Sequence, residues 1–460
     1  MLAPKHTYKG ATPPTFPQDG DIERFIAAFN TYEDTADLFD RCRDAQGFVW
    51  WDLVRYAVRF SICVEKGIIG ARQTPPRSMF KRTLNGLRQS VRLARDAVRI
   101  VKFGRLNISC IHISTRPTND ILVAQVQAEA VKDGQSPSPV LHVNTIGAVT
   151  APDVAIKKQS VDFFIRLVAP FLPLPPKVDR HATDVAAQIK HRFQTAVDVR
   201  AIIAARYRHH LAAWLVWGAL LSRLKTVRRI VFVNDDTLKT LVHLANAKGI
   251  ETIEMQHGYM GRSHIGFSYP PLHTLPDTLA QKVWITHDTD DIVYPVPKVT
   301  VRIPDKHAVW GQPARDIDVL IGGSPTRAKD TRDIIAALVD LGLSIGVKLH
   351  PAQNQGAFDQ SRAFTSQQVT IHPGHGDFNA LARRARIYVP ANPTSTTVFE
   401  AVEAGAALIV VDYDGRKMTS MIDNIVTQRV GSCPALRDAV LCYLRKNGTD
   451  APFLMSGAKQ

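Results

Sequence analysis

The sequence predicts an α/β protein of two Rossmann-like domains flanking a cleft, preceded by an N-terminal helical extension. Three observations lead there. From Leu106 onward short β-rich runs alternate with helical stretches, the pattern of a parallel sheet layered with helices. The alternation occurs twice, before and after a stretch from 273 to 317 in which Pro276, Pro295, Pro297, Pro304 and Pro313 recur and no long periodic segment survives. Hydrophobic residues make up 45% of the 460 and charged residues 22%, so a packed core is expected, and disordered, collagen-like and disulfide-scaffold classes are not. The expected divisions are an N-terminal arm with basic amphipathic helices (1–105), a first Rossmann-like domain (106–272), a proline-rich connection (273–317), a second Rossmann-like domain (318–447) and a tail (448–460).

In chain order, Phe48 to Phe60 is rich in apolar and aromatic residues, interrupted by Arg55 and Arg59, and reads as a helix with an aromatic, partly interfacial face whose default role is core packing. Between Lys81 and Arg105 eight basic residues face one acid, Asp96, so this stretch alone supplies +7 of the net charge of +15. Arg88, Arg92, Arg95, Arg99 and Lys102 recur at helical spacing and share one face of a basic amphipathic helix over 84–102. Such a helix is either packed with a solvated arginine stripe or turned toward anionic lipid. In the first alternating series strands are expected at 108–114, 139–143, 230–233 and 252–255, with long helical stretches from 185 to 225. The second series runs strand 319–321, helix 330–341, strands 345–349 and 369–371, helix 378–386, strand 387–389, helix 397–404 and strand 407–411.

Charge and cysteine usage narrow the class. Fifty-seven Lys and Arg against 42 Asp and Glu favour anionic partners: nucleic acid, acidic headgroups or phosphorylated substrates. The five cysteines form no CxxC pair, which fits neither a disulfide framework nor a zinc site and suggests a reducing cytosol. No apolar run reaches the ~18 residues of a membrane span, and the first twenty residues show no apolar signal region, so a cytoplasmic location is expected.

Ligands of parallel sheets bind beyond the carboxyl ends of the strands, and four strand-end loops carry suitable chemistry. The first is Gln256-His257-Gly258, a histidine before a turn-permitting glycine; His257 is suited to act as a general base, with His264 a weaker acceptor-side candidate. The second is Lys348-Leu349-His350-Pro351, in which proline fixes the chain exit and His350 is placed to bond a phosphate oxygen. The third, after Val389, brings Ser395, Thr396 and Thr397 to a helix start, where free N–H groups and hydroxyls make an anion site, and Glu400 one turn later can accept ribose hydroxyls. The fourth, Gly322-Gly323-Ser324 with Arg327, is a glycine-rich strand exit compatible with a phosphate cradle. Asp235 and Asp236 follow the strand ending at Val233 and are the acidic candidates on the acceptor side, though capping of the next helix is their simpler role.

Gln256-His257-Gly258, Gly311-Gln312-Pro313, Lys348-Leu349-His350-Pro351, and Ser395-Thr396-Thr397 followed by Glu400-Ala401 and Gly405 stand in an order that resembles bacterial surface-polysaccharide glycosyltransferases of the GT-B fold, those of capsule and lipopolysaccharide synthesis. The resemblance covers about residues 230 to 411. Its His-Pro and Ser/Thr motifs look like those with which bacterial sialyltransferases hold a cytidine nucleotide; its Gln-His-Gly looks like that of capsule synthesis proteins and CDP-glycerol transferases. It implies a nucleotide-sugar donor held by His350 and Ser395 to Thr397 in the second domain, and His257 as base in the first, the acceptor domain. The acidic base motif of the sialyltransferases is not evident, because Asp412-Tyr413-Asp414-Gly415 has its letters in the wrong half. No Asp-x-Asp between strands is read as a divalent-ion site, so no metal and no cofactor are expected; fixed N–H groups, hydroxyls and His350 would neutralise the leaving phosphate.

The expected function is therefore a metal-independent glycosyltransferase, peripheral on the inner face of the cell membrane through residues 81–105, acting on a surface polysaccharide or lipid-linked glycan. A CDP-polyol phosphotransferase and a nucleotide-sugar 2-epimerase are alternatives within the same architecture. A non-catalytic, basic membrane-binding protein is the alternative outside it, and nucleic acid is not an expected partner because base-stacking aromatics among the basic residues are lacking.

Overall fold

The computed structural model describes residues 22–68, 108–114, 140–144, 154–233, 238–256, 260, 264–285, 294–301, 314–324, 327–350, 353, 368–374, 376–393, 395, 397–412, 422 and 425–447. The basic helix expected over 84–102, the arm before residue 22 and the tail after 447 lie outside them, as do Asp235, Asp236, His257, Gly258 and Thr396. The chain divides into two units, residues 1–286 with 293–302, and residues 287–292 with 303–460.

The first unit opens with helices α1 (Ile22–Thr35), α2 (Leu38–Arg41) and α3 (Trp50–Glu65). Its sheet has seven strands, β1 (Cys110–Ser114), β2 (Val140–Asn144), β3 (Val154–Lys157), β4 (Arg229–Val233), β5 (Glu251–Met255), β6 (Lys282–Ile285) and β7 (Lys298–Thr300), in the spatial order β3-β2-β1-β4-β5-β6-β7. All neighbouring strands run parallel, with Ile111 beside Leu141 and Ile230, and Val231 beside Ile253. The strands bury both faces by alternation: Ile111, Ile113, Leu141, Val143, Ile230 and Phe232 on one, Cys110, Val140, Val231, Val233, Ile253 and Met255 on the other. Helices α4 (Lys158–Val168), α5 (Pro176–Phe193), α6 (Val199–Arg223) and α7 (Lys239–Asn246) complete the unit.

Three differences from the sequence reading have local causes. The helical stretch expected from 185 to 225 is two helices, because Gln194 turns left-handed at φ +46° and Asp198 caps the next helix by accepting from the Ala201 N–H at 2.9 Å. The stretch from 273 to 317 holds β6 and β7, short strands bounded by the prolines that disguise them. Helix α3 buries its charges with its tryptophans: Trp50 and Trp51 are fully buried, and so are Arg55 and Arg59, while Tyr56 and Phe60 are half-buried.

Those two arginines share one buried carboxylate. Glu33 of α1, itself fully buried, accepts from the Trp51 indole at 3.1 Å, from Arg55 Nε and Nη2 at 3.1 and 2.9 Å, and from Arg59 Nη2 at 2.7 Å. Other donors reach chain carbonyls, Arg55 to Gly266 and Ser268, Arg59 to Ile265 and Ser268; Arg59 Nη2 also donates to Asn30 Oδ1, and its Nε has no partner among the described residues. Burial, then the adjacent Arg55, lowers Arg59 to about 9, which leaves it charged at neutral pH. A second buried group adjoins it, in which Asp52 pairs with Lys239 at 3.0 Å and accepts from the Tyr269 and Thr278 hydroxyls at 2.7 Å each. Burial pushes the Asp52 carboxyl up, but Lys239, Arg55 and the two hydroxyls outweigh it and hold it below the usual range.

The second unit has a six-stranded sheet of β8 (Ile317–Gly322), β9 (Ile345–Lys348), β10 (Val369–His372), β11 (Ala385–Pro390), β12 (Ala407–Val411) and β13 (Gln428–Val430), in the order β10-β9-β8-β11-β12-β13 and again wholly parallel. Helices α8 (Ala328–Leu338), α9 (Phe378–Arg384), α10 (Thr397–Glu403) and α11 (Cys433–Lys446) connect and cover it. The entirely buried run Ala407-Leu-Ile-Val-Val411 is the sequence signature of a strand covered on both faces. Caps set the helix starts: Asp377 accepts from Asn379 and Ala380 N–H, and Ser432 from Ala435 N–H. Gly405 ends α10 at φ +80°, so its place in the motif is explained by chain reversal. All five cysteines are free thiols, as their number and spacing suggest. Among the described residues no helix is long and apolar enough to cross a membrane.

Glu33→Gln is expected to destabilise the first unit by ~3–5 kcal/mol, because two buried guanidinium groups lose their counter-charge. Urea unfolding measures it, with the exposed Glu23→Gln as a control that should shift stability by less than ~0.5 kcal/mol.

Candidate functional site

In the second sheet the chain leaves β8 toward β9 and β10 on one side, whereas β11 leads to β12 and β13 on the other. The gap between the carboxyl ends of β8 and β11 is thus a topological switch point, where adjacent loops diverge and leave a crevice. Four strands end there in one row, with His372 of β10 beside Lys348 of β9, Lys348 beside Gly322 of β8, and Gly322 beside Pro390 of β11. The loops carrying Gly323, Ser324, His350 and Ser395 all begin from that row.

Side chains beneath the row tie the loops together. Gln353 Oε1 accepts from the His350 N–H at 2.7 Å, and its Nε2 donates to the Ser324 carbonyl at 3.0 Å, linking the loops after β8 and β9. The Gly323 N–H donates to the Lys348 carbonyl at 2.9 Å, and a Cβ on Gly323 would meet Gln353 Oε1 at 2.5 Å. Tyr388 of β11 is buried with its hydroxyl 2.7 Å from Thr397 Oγ1, which lies 2.9 Å from Ser395 Oγ. A Cβ on Gly322 would run into that same tyrosine hydroxyl, so glycine is required for strand and tyrosine to approach. Burial raises the Tyr388 phenol, against the bond from Thr397, and keeps it neutral. The result is a chain of three hydroxyls anchored on a rigid ring at the start of α10.

The sequence-predicted residues take distinct places in this arrangement. Gly322, Gly323, Ser324, His350, Ser395 and Thr397 border the switch point. Glu400 sits one turn into α10, half-buried. Arg327 stands just before α8 and pairs with Asp330 at 3.3 Å, while Lys329 pairs with Asp333 at 2.7 Å, so both cations of the glycine-rich exit have carboxylate partners on that helix. Lys348 is buried and donates to the Leu349 and Gly374 carbonyls at 3.1 and 2.7 Å; burial lowers its pKa, and its amine is a tie between two loops. Thr396 lies outside the described residues.

The switch point of the first sheet falls between β1 and β4. Asp235 and Asp236 belong to the segment that follows β4, and His257 and Gly258 to the one that follows β5. Gln256 is half-buried and donates its N–H to the Trp284 carbonyl at 2.8 Å, which keeps the end of β5 in register with β6. His264 Nδ1 accepts from the Gly266 and Phe267 N–H groups at 3.1 and 3.2 Å and holds a turn. Arg55 and Arg59 grip the carbonyls of that same turn, so α3 positions the segment downstream of His257.

Sequence reasoning missed Gln353, Tyr388 and the Arg55–Arg59–Glu33 group. Gln353 lies in an irregular loop with no periodicity to mark it; Tyr388 reads as one more strand residue. The arginines carried a usable signal, since two charges at i and i+4 inside an apolar helix demand a buried partner. Metal ligation is a similar case: Asp-x-Asp letters do occur, at 19–21, 288–290, 316–318 and 412–414, and of their aspartates Asp316, Asp318 and Asp412 are described, the first two paired with Arg384 and Arg386.

No family model matches the chain, and no curated protein does. Solved structures similar to it include MurG of Acinetobacter baumannii, 13% identical at a TM-score of 0.40 over 73% of this chain and 91% of that one. The calicheamicin glycosyltransferase CalG4 is 12% identical at a TM-score of 0.39, over 74% and 91%. The UDP-GlcNAc 2-epimerase of Methanocaldococcus jannaschii is 13% identical at 0.42, over 73% and 91%. At this distance the likeness decides nothing about function.

Gly322→Ala is expected to cost ~1–3 kcal/mol by overpacking against Tyr388. Combined with Tyr388→Phe, which removes the clashing oxygen, part of that loss should return, as read by thermal unfolding of the single and double variants.

Proposed function

We propose that the chain is a metal-independent glycosyltransferase of GT-B type that moves a sugar from a nucleotide donor, a cytidine nucleotide favoured, to a bacterial surface polysaccharide or lipid-linked glycan. The observation that carries this reading is the gathering of Gly322-Gly323-Ser324, His350, Ser395 and Thr397 at the switch point of the second sheet. These groups suit a nucleotide phosphate: an imidazole can donate, and the Ser395 and Thr397 hydroxyls stand at a helix start. They are preorganised by Gln353 and Tyr388, so little reorganisation is needed when a leaving phosphate gains charge. Glu400 is the acceptor for ribose hydroxyls. The motif order along 230–411 supports the choice of glycosyl transfer over other phosphate chemistry.

In this mechanism the second unit binds the donor, and His257 takes the proton from the acceptor hydroxyl. Asp235 or Asp236 takes the base role if His257 does not. Fixed dipoles and His350 meet the phosphate charge, so no divalent ion enters the step. The basic stretch 81–105 brings the enzyme to the anionic inner face of the membrane, where a lipid-linked acceptor resides.

The first test is a thermal-shift panel of CMP, CDP, UDP and GDP, in which a cytidine nucleotide should stabilise most. His350→Ala is expected to weaken nucleotide affinity and turnover together, because the same bond serves ground and transition states. His257→Ala should leave nucleotide affinity intact and reduce turnover by ~100-fold or more. Calorimetry showing unchanged affinity in His350→Ala would refute the phosphate role.

A further inference from the structure

Helix α4 ends in a single 3-10 turn, Ala169–Phe171, and the two form one continuous edge beside the border strand β3. Val161, Ile165 and Ala169 face inward and are buried in the core shared with α6. Phe164, Leu167 and Phe171, at spacings of three and four, face outward and are 37%, 53% and 83% exposed. A large aromatic four-fifths exposed at the tip of a turn has no role in packing this unit. Pro170 stiffens the turn, and Pro173, Pro175 and Pro176 stiffen the extended chain that follows, so the tip is held out.

From this we infer that Phe164, Leu167 and Phe171 form a wedge that inserts into an anionic lipid bilayer. Two features select lipid over a protein partner. The wedge offers roughly 350 Å² of apolar surface on the usual ~200 Å² per large side chain, well short of the ~800 Å² per partner that a specific protein interface needs. The chain that carries it is basic: Arg166, Lys177 and Arg180 are exposed, and of the two acids between 162 and 180 Asp162 is half-buried and Asp179 is paired with Arg200 at 2.7 Å. Apolar tips on a cationic stretch match the acyl and headgroup layers of an acidic membrane in turn. The wedge lies on a described element separate from the basic stretch 81–105. It extends the membrane-peripheral part of the proposed function and is independent of the nucleotide assignment.

The test uses the full chain with vesicles of phosphatidylglycerol and phosphatidylcholine, and with phosphatidylcholine alone. Leu167→Ser/Phe171→Ser, both on the surface, should reduce co-sedimentation with the anionic vesicles by ~10-fold or more, since each large apolar side chain withdrawn from water is worth about a decade in partition. The same variant should keep the wild-type nucleotide thermal shift, which separates failure of the wedge from failure of the nucleotide reading. In a Phe171→Trp variant, the emission of the introduced indole should move to the blue on adding anionic vesicles. The inference is overturned if the double variant sediments like wild type, or if that indole is already blue-shifted in the free protein because the chain's own residues cover it. It is equally overturned if sedimentation velocity shows a wild-type dimer that the double variant loses, which would make a second copy the occupant.

Discussion

Parallel pairing is the constraint from which the rest of this structure follows. A parallel ladder makes every strand begin at one edge of the sheet and end at the other, so each connection must cross back over a face, and a helix is the economical way to do so. The crossovers bury the strands on both sides, which is why runs such as Ala407 to Val411 are continuously apolar. They also deliver every strand-to-helix loop to the same edge. Residues separated by up to 75 positions, from Gly322 to Thr397, meet only because their strands share that polarity.

The two units solve different electrostatic problems. In the second, the row at the carboxyl edge is supported by neutral groups and one amine: the Gln353 amide, the Tyr388 phenol, and a Lys348 amine bound to carbonyls. Supports of this kind fix the loops in place, and the N–H groups of Gly323, Ser324, His350, Ser395 and Thr397 are themselves bonded within the chain. In the first, full charges are buried. Glu33 and Asp52 answer Arg55, Arg59 and Lys239, and the surplus guanidinium donors hold the carbonyls of 265, 266 and 268. Buried ion pairs contribute little net stability against apolar replacements, but they are strongly directional. Their effect here is to fix the turn beyond β5 to helix α3, which is more than 200 residues away in sequence.

Much of the fold was legible in the sequence because hydrophobic period and helix punctuation are local. Five of the six strands of the second unit fall within about two residues of their expected bounds, β12 matching at both ends, whereas β13 was not expected. Strands β6 and β7 were hidden by the prolines that bound them, and β3 by its shortness. Of the candidate site, the loops were legible as glycine, histidine and hydroxyl clusters after apolar runs. Which groups support them was not: nothing near Tyr388 in sequence indicates that its hydroxyl meets Thr397 across a loop, or that it forbids a side chain at Gly322.

By itself, then, the sequence determined the two α/β series, the loops in which polar chemistry concentrates, the excess of positive charge and the thiol state of the cysteines, all of which depend on residue type and short-range spacing. Only the tertiary structure decided that β8 and β11 flank the switch point, that Arg55 and Arg59 are interior, and that Phe171 projects into solvent. Each of these depends on which distant segments are neighbours. Neighbourhood is set by strand order and burial, and neither is encoded in any single window of the chain.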